Sequence, residues 1–207
     1  MSADRAGRRL VVLRHGQTAW NLGKRVQGHF DVEIDDTGHR QAAAAAVQVA
    51  AYGPTVLWSS DLTRARETAA YVAKETGLEP TYDERLREYY LGERQGLTHA
   101  EYDALAPEEF ARFRSGDFDA APGAESTDAV RARMVAVLTD VLAATGSGQT
   151  AIAVSHGAAI RVGLTALLGW PESVRESLRA LGNCGWLVLE EESYGAPLRL
   201  SAYNRKA

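Results

Sequence analysis

The chain has 207 residues, of which 45% are hydrophobic and 24% are charged, values that are typical of a soluble globular protein. A net charge of −4 argues against nucleic acid as the main partner, because a phosphate backbone recruits basic surfaces. The single cysteine, Cys184, excludes an intrachain disulfide and favours a reducing, cytoplasmic compartment. No apolar run approaches the roughly 20 residues of a membrane span or forms a signal peptide, so no membrane partner is expected.

The first half of the chain alternates between short apolar runs and helical patterns. In chain order the predicted elements are a strand over 10–13, a helix over 38–52, a strand over 55–58, a helix over 61–77 and an extended piece after Pro80. Asp36 or Thr37 would cap the first helix, and Gly53 would end it.

The second half continues the alternation after an irregular stretch. The irregular stretch covers 86–97, and the capping-box spacing of Thr98 and Glu101 then predicts a short helix. Pro107 opens another helix, a polar loop covers 115–123, and Ser126 or Thr127 caps a helix that ends near 144. A strand over 150–155, a helix to 168, and strands over 183–190 and 198–203 complete the predicted order. This order predicts an α/β fold, a three-layer α/β/α sandwich with a mostly parallel central sheet. The segment 98–126 interrupts it and predicts a small helical flap on a single domain over 1–207.

Reactive cations follow three of the predicted strands. Arg14 and His15 end the first strand, Arg64 comes shortly after the second, and His156 directly follows the strand over 150–155. Ligands of open parallel sheets bind outside the carboxyl ends of the strands, so these side chains are expected to meet at one edge. Two guanidinium groups and two imidazoles at one point suit a compact dianion such as a phosphoryl group.

The competing interpretations of these residues are weaker. A histidine-based metal site is disfavoured because arginines stand beside its proposed ligands and no spaced pair of carboxylates completes the set. The other histidines, His29, His39 and His99, are expected to be solvated, although His99 in the flap could reach a substrate. Cys184 is expected to be a small buried residue rather than a reactive thiol.

Four ordered motifs carry a resemblance that spans nearly the whole chain. They are LRHGQT at 13–18 with Asn21, SSDLTRARETA at 59–69, LRE at 86–88 followed by Gly92 and Gly96, and SHG at 155–157. In this set and order they resemble the signature of the histidine phosphatase superfamily, the phosphoglycerate-mutase-like family.

The resemblance implies a role for each matching residue. His15 would be the nucleophile that becomes a phosphohistidine, and Glu88 would be the acid that protonates the leaving alcohol. The residues expected to hold or adjoin the phosphoryl group are Arg14, Asn21, Gln27, Gly28, Arg64 and His156. The chemistry is consistent with these roles, because a neutral imidazole is a competent nucleophile and fixed cations stabilise the phosphoryl transition state. No cofactor and no metal is implied.

The expected activity is hydrolysis of a small phosphorylated metabolite. Within the family the chain most resembles the branch that includes glucosyl-3-phosphoglycerate phosphatases, which favours a phosphoglycerate or sugar-phosphate derivative as substrate. The alternatives are mutase-type phosphoryl transfer and a non-catalytic phosphate-binding module, and a homodimer is compatible with either. Arg94 stands where many relatives have tryptophan, which leaves the packing of that loop open. The candidate cations for a substrate carboxylate are Lys24, Arg25, Arg112 and Arg114.

Overall fold

The computed structural model describes residues 6–207, which form six strands and eight α-helices. The strands are β1 (Arg9–Arg14), β2 (Pro54–Ser59), β3 (Thr81–Tyr82), β4 (Thr150–Ser155), β5 (Trp186–Glu190) and β6 (Arg199–Arg205). The helices are α1 (Ala19–Leu22), α2 (Asp36–Ala50), α3 (Thr63–Thr76), α4 (His99–Leu105), α5 (Pro107–Ser115), α6 (Thr127–Ala143), α7 (Gly157–Leu167) and α8 (Glu172–Ser177). Within residues 6–207 no helix combines the length and the apolar character needed to cross a membrane.

The six strands form one sheet in the order β3-β2-β4-β1-β5-β6. The pairs β3–β2, β2–β4 and β4–β1 are parallel, whereas β5 and β6 join in antiparallel fashion. The predicted mostly parallel sheet is therefore confirmed. Every residue of β4 is buried, as expected of a central strand covered on both faces.

Helices cover both faces of the sheet and give the predicted three layers. Alternate residues of β1 face opposite sides: Val11 and Leu13 belong to one buried cluster, and Leu10 and Val12 belong to the other. The first cluster contains apolar residues of α2 and α3, and the second contains those of α6 and α7. The sheet is thus held between two pairs of helices, which leaves its strand ends to form a site.

Several predicted helix boundaries are confirmed by their caps. Thr98 and Glu101 form the expected capping box at the start of α4, and Ser126 caps α6. Gly77 ends α3 in the left-handed conformation, with a φ of 72°. Pro107 opens α5 as predicted.

Helix α2 begins two residues before its predicted start. Its cap is Asp35, whose Oδ1 accepts the N–H of Gly38 at 2.8 Å, so the predicted caps Asp36 and Thr37 lie inside the helix. Gly38 is buried against the loop after β1, and a Cβ there would lie 2.2 Å from the carbonyl oxygen of Gln17. Packing against that loop therefore explains why a glycine lies inside this helix. The sequence alone had suggested that the helix starts at this glycine.

The predicted strand over 183–190 begins three residues later than expected, at Trp186. Cys184 has a positive φ of 50°, which interrupts the extended backbone, and its N–H donates to the carbonyl of His15 at 3.2 Å. Asn183 donates to the same carbonyl from its side chain, also at 3.2 Å. The residues before β5 are therefore a loop that packs against the backbone of His15. Cys184 is buried, as predicted.

Candidate active site

The parallel strands place both histidines at the same edge of the sheet. Arg14 pairs with Ser155 in the β1–β4 register, so the residues that follow, His15 and His156, leave the sheet side by side. Their ring centroids are 5.1 Å apart. Both are almost fully buried, at 3% and 0% exposure, so the predicted meeting of the two histidines is confirmed.

The imidazole of His15 is held in one tautomer. Its Nδ1 lies 2.7 Å from the carbonyl oxygen of Gly16, which can only accept, so Nδ1 carries the proton and Nε2 carries a lone pair. Burial holds the pKa of His15 well below its usual value, and the positive charges of Arg64 and Arg14 lower that pKa further. The ring is therefore neutral, with an unprotonated nitrogen available to an electrophile.

His156 is also neutral and is hydrogen-bonded on both ring nitrogens. Arg64 Nε donates to its Nδ1 at 3.2 Å, and its Nε2 lies 2.9 Å from the hydroxyl oxygen of Ser60. Because the guanidinium cannot accept, the proton of the ring must be on Nε2. Burial lowers the pKa of His156 well below its usual value, with further contributions from Arg64 and His15.

Arg64 is a buried cation held by backbone carbonyls. Its Nη2 donates to Gly28 O at 2.8 Å and its Nη1 donates to Phe30 O at 2.9 Å, and the residue is 1% exposed. Burial lowers the pKa of Arg64 to about 10, against the charges of Glu88 and Asp31, which raise it. The predicted loop over 27–28 is therefore adjacent to this cation, because Gly28 fixes its guanidinium.

Arg14 is the second cation of the site and is half-buried. Its Nη1 donates to the carbonyl of Leu181, while its Nε is buried and has no hydrogen-bond partner among the described residues. Within residues 6–207, neither Arg14 nor Arg64 forms an ion pair with a carboxylate. A buried cation and a half-buried one, neither with a direct carboxylate partner among the described residues, make an electrostatic site for an anion.

Glu88 lies at the N-terminus of α7. Its Oε1 accepts the N–H groups of Tyr89 at 3.0 Å and Ala159 at 2.9 Å, and its Oε2 accepts the N–H of Ala158 at 3.0 Å. The carboxylate thus takes the place of an N-cap side chain, since His156 makes no side-chain cap bond. Within the described residues Oε2 accepts one hydrogen bond, and it retains a lone pair on which a proton can be carried.

Arg133 fixes the backbone around Glu88, a role that the sequence analysis missed. Its guanidinium donates to the carbonyls of Arg85, Arg87 and Glu88 at 2.8, 2.6 and 2.9 Å and forms two hydrogen bonds to the Glu125 carboxylate. The PGAES stretch at 122–126 was the one sequence signal for these contacts, because it contains Glu125, the carboxylate that pairs with Arg133. The partner on α6 could not be found from a motif.

His29 contradicts the expectation of a solvated side chain. Its Nε2 lies 2.8 Å from the Glu88 carbonyl oxygen, and its ring packs edge-on against Tyr90 at 5.4 Å. Burial is the main cause of its lowered pKa. His39 is likewise half-buried, on α2 against Tyr71, so neither is a free surface histidine.

A cavity of about 170 Å³ opens beside these groups. Its lining includes these predicted residues: Arg14, His15, Asn21, Gln27, Gly28, Arg64 and Glu88. Asn21 uses its Oδ1 to accept from Thr18 and Asn183, which leaves its amide N–H groups for a ligand. Gln27 has a buried Oε1 without a partner among the described residues. His156 is not part of the lining but contacts two residues that are, His15 and Arg64.

The rest of the cavity wall comes from residues that the motifs did not single out as substrate-binding. They are Arg25, Val26, Tyr89, Leu91, His99, Phe113, Phe118 and Ala158. Arg25 and His99 had been noted as outside candidates, and His99 is half-buried rather than solvated. Phe113 and Phe118 belong to the flap segment (residues 98–126), where no motif indicates which side chains turn inward.

Arg94 is accommodated by a polar cluster inside the flap segment. Its guanidinium forms two hydrogen bonds to the Glu109 carboxylate, at 2.7 and 3.0 Å, and the Tyr102 hydroxyl donates to the same carboxylate at 2.6 Å. The side chains of Arg94 and Glu109 are only 12% and 17% exposed. This Arg94–Glu109–Tyr102 cluster joins the loop after Glu88 to both flap helices.

Comparison with known proteins decides the family. The family model of the histidine phosphatase superfamily (branch 1) matches residues 10–204. The chain belongs to this superfamily. A solved structure of a mycobacterial glucosyl-3-phosphoglycerate phosphatase in complex with VO3 superposes on this histidine phosphatase with a TM-score of 0.87, at 38% identity, over 96% of this chain and 100% of that one.

Two curated relatives of this histidine phosphatase carry different names. The glucosyl-3-phosphoglycerate phosphatase of Mycolicibacterium vanbaalenii is 39% identical over 188 residues, which cover 88% of this chain and 84% of the relative. A probable phosphoglycerate mutase of Yersinia pestis is 37% identical over 180 residues, or 84% and 81% of the two chains. The family match and the phosphatase relatives identify the chain as a phosphatase of a small phosphorylated molecule.

Proposed function

We propose that the chain hydrolyses a phosphate monoester of a phosphoglycerate or sugar-phosphate type, such as glucosyl-3-phosphoglycerate, through a phosphohistidine on His15. The observation that carries the proposal is the buried, neutral His15 ring, which has its Nε2 lone pair beside the buried Arg64 and the half-buried Arg14. Neither arginine has a carboxylate partner within residues 6–207. A nucleophile next to fixed cations is the arrangement that two-step phosphoryl transfer needs. The names of the phosphatase relatives support this substrate class.

In the first step His15 Nε2 attacks phosphorus and the bond from phosphorus to the ester oxygen breaks. Glu88 Oε2 supplies a proton to the leaving alkoxide, so the alcohol departs neutral. Arg14 and Arg64 neutralise the phosphoryl oxygens, and the amide groups of Asn21 and Gln27 add hydrogen bonds. His156 joins them when its Nε2–H exchanges Ser60 for a phosphoryl oxygen.

In the second step water attacks the phosphorus of phosphohistidine. The Glu88 carboxylate accepts the proton of that water, the P–N bond breaks, and phosphate leaves with His15 returned to its neutral form. Each group thus ends the cycle in its starting protonation state. The cations act in both steps, since both transition states carry charge on the same oxygens.

Replacing His15 with alanine tests the proposal. We expect His15→Ala to lose about 10⁴-fold or more in kcat on p-nitrophenyl phosphate, as loss of a nucleophile does elsewhere. Acid-labile label should appear on the wild-type chain after an alkaline quench and should be absent from the variant. His39→Ala is the matched control, since His39 packs against Tyr71 away from the cavity. A His15→Ala enzyme with full activity would exclude the mechanism.

Mutase-type phosphoryl transfer is the second candidate, favoured by the relative named as a probable phosphoglycerate mutase. Both reactions share the phosphohistidine, so labelling does not separate them. Product analysis does, because a phosphatase releases inorganic phosphate and a mutase yields an isomeric phosphoglycerate. We expect phosphate release that is sensitive to vanadate, which also excludes a binding module without turnover.

Location and assembly stay predictions. A cytoplasmic location is supported by the single cysteine, which suits a reducing compartment. Fractionation of the producing cell tests the cytoplasmic location. Light scattering of the purified chain tests whether it forms a homodimer.

A further inference from the structure

A chain of hydrogen bonds connects α2 to the imidazole of His15 through a single peptide group. The Gly16 carbonyl lies 2.7 Å from His15 Nδ1 and accepts its proton. The N–H of the same peptide group belongs to Gln17, and it donates to the side-chain oxygen of Gln41 at 3.0 Å. This peptide bond is trans, so its C=O and N–H point in opposite directions. The imidazole and Gln41 therefore lie at the two ends of one peptide dipole.

The loop after β1 does not depend on Gln41 for its position. From α3, the Thr68 hydroxyl accepts the N–H of Gly16 at 3.0 Å. The carbonyl of Gln17 accepts the N–H of Asp35 at 2.8 Å, and the side chain of Gln17 donates to the Asp35 carboxylate at 3.1 Å. These three hydrogen bonds hold the loop on both sides of the Gly16 carbonyl. The bond to Gln41 therefore adds an electronic effect to a peptide that is already fixed.

Gln41 does not face the phosphate site. It is half-buried on α2, and among the described residues it is not part of the lining of the cavity beside His15. Its amide orientation follows from its partner, because the N–H of Gln17 can bond only to the oxygen. Gln41 thus reaches the reacting imidazole through the intervening peptide, by changing how strongly the Gly16 carbonyl accepts.

The imidazole of His15 gains positive charge when it attacks phosphorus. The Nε2 lone pair forms the P–N bond as the ester P–O bond breaks, while the proton stays on Nδ1, so the ring becomes an N-phosphorylated imidazolium. The nearby charges of Arg64 and Arg14 oppose a positive ring. The Gly16 carbonyl stabilises it, and hydrogen bonds that form a chain strengthen one another. A peptide whose N–H is bound by Gln41 therefore stabilises the imidazolium more than the neutral ring.

We propose that Gln41 is a positioning residue for phosphoryl transfer, which polarises the peptide between Gly16 and Gln17 so that its carbonyl stabilises the positive charge on His15. The inference rests on the proposed function, because it concerns the attack of His15 on phosphorus. The peptide has the part that a buried aspartate has beside the histidine of a serine protease, where it fixes the tautomer and stabilises the imidazolium. Gln41 acts on the charged states of the ring and leaves ground-state binding unchanged.

Two inhibitors that engage His15 differently test this role. Inorganic phosphate binds beside the neutral ring, whereas vanadate accepts the imidazole nitrogen as a further ligand and so resembles the transition state. Gln41→Met removes the acceptor. We expect it to lower kcat/KM for p-nitrophenyl phosphate roughly threefold to tenfold and to raise the inhibition constant of vanadate by a similar factor. The inhibition constant of phosphate should stay within about twofold of wild type.

The second step responds in the opposite direction. The phosphohistidine ring already carries the positive charge, which is lost as the P–N bond breaks, so Gln41→Met should hydrolyse isolated phosphoenzyme at least as fast as wild type does. Gln41→Glu keeps an oxygen acceptor and should recover most of the lost kcat/KM. Gln48→Met is the matched control, because Gln48 is an exposed glutamine on the same helix, and it should keep the wild-type constants.

Two kinetic results would overturn the proposal. One is an unchanged kcat/KM in Gln41→Met. The other is a parallel rise of the phosphate and vanadate constants, which would mean that the substitution only displaces the loop. Either result would leave the proposed phosphatase function intact, because that function depends on His15 and its labelling.

Nuclear magnetic resonance of His15 tests the proposal without turnover. In the ligand-free wild type we expect the ring proton on Nδ1, and in Gln41→Met its resonance should move upfield, because the hydrogen bond to the Gly16 carbonyl is weaker. An unshifted resonance would overturn the role of Gln41. A shifted resonance in a chain that formed no phosphohistidine would refute the proposed function and still support the connection from Gln41 to His15.

Discussion

Glu88 has a structural task and a proposed chemical one. Its carboxylate accepts three backbone N–H groups and thereby caps α7, while the lone pair left on Oε2 is where a transferable proton would be held. The same backbone contacts fix the carboxylate at the cavity wall, and no side chain among residues 6–207 pairs with it. A substitution at Glu88 therefore has to be measured on two substrates if positioning and proton transfer are to be told apart.

Glu88→Gln should slow hydrolysis of 3-phosphoglycerate by roughly 10²–10⁴, the usual worth of general acid catalysis. It should slow p-nitrophenyl phosphate much less, since nitrophenolate leaves without a proton. The amide nitrogen of glutamine cannot accept from Ala158 N–H, so the variant's Tm is measured alongside. Equal losses on the two substrates would mean that Glu88 acts only by positioning.

At the scale of elements, the Arg94–Glu109–Tyr102 cluster holds the flap segment against the loop after Glu88. Bidentate geometry and low exposure make this ion pair stronger than a surface pair, and one partner left alone would be a partly buried charge. The cluster also fixes the helices that carry His99 and Phe113 to the cavity. Its loss should affect substrate binding as well as folding.

Arg94→Met should lower the free energy of unfolding by about 1–3 kcal/mol, because Glu109 keeps its charge and loses its main partner. KM should rise more than kcat falls. Arg112→Met, which breaks an exposed pair, should cost at most about 1 kcal/mol. Urea unfolding measures both variants and the double variant Arg94→Met, Glu109→Met. If the unpaired charge of Glu109 causes the destabilisation, the double variant should recover part of the lost free energy of unfolding. A double variant as unstable as Arg94→Met would contradict that explanation.

Elements with local signals were the ones that sequence analysis predicted well. The Thr98 capping box, Pro107 and Gly77 depend on neighbours within a few residues. The meeting of His15 and His156 followed from one general rule about parallel strands. The Arg133 contacts, the inward-facing Phe113 and the left-handed Cys184 were not predictable, because each depends on packing between elements far apart in the sequence.

For the molecule as a whole, two buried neutral histidines link stability to pH. Burial lowers the pKa of His15 and of His156 in the folded state, so below about pH 6.5 the unfolded chain binds more protons than the folded one. The stability they contribute is complete above that pH and is lost as the pH falls. His29 and His99, whose pKa values are also lowered, act in the same direction.

The free energy of unfolding should therefore fall between pH 7.5 and 5.5, by up to about 1.4 kcal/mol per pH unit for each histidine that is neutral when folded. Urea unfolding at several pH values measures it. A double variant, His15→Gln with His156→Gln, should have a shallower slope over this range. An unchanged slope would show that other groups cause the dependence.

The position of β4 between β1 and β2 has a consequence for synthesis on the ribosome. Both of its neighbours emerge first, but β4 follows only after the flap segment and α6, and β5, the other neighbour of β1, comes later still. A nascent chain that ends before β4 has β1 with no strand to pair with and β2 with one open edge. Unpaired strand edges of this kind are prone to aggregate and slow to close. The two halves of the phosphate site thus come together only late in translation, and a chaperone that covers the β1 and β2 edges would protect the chain during that interval.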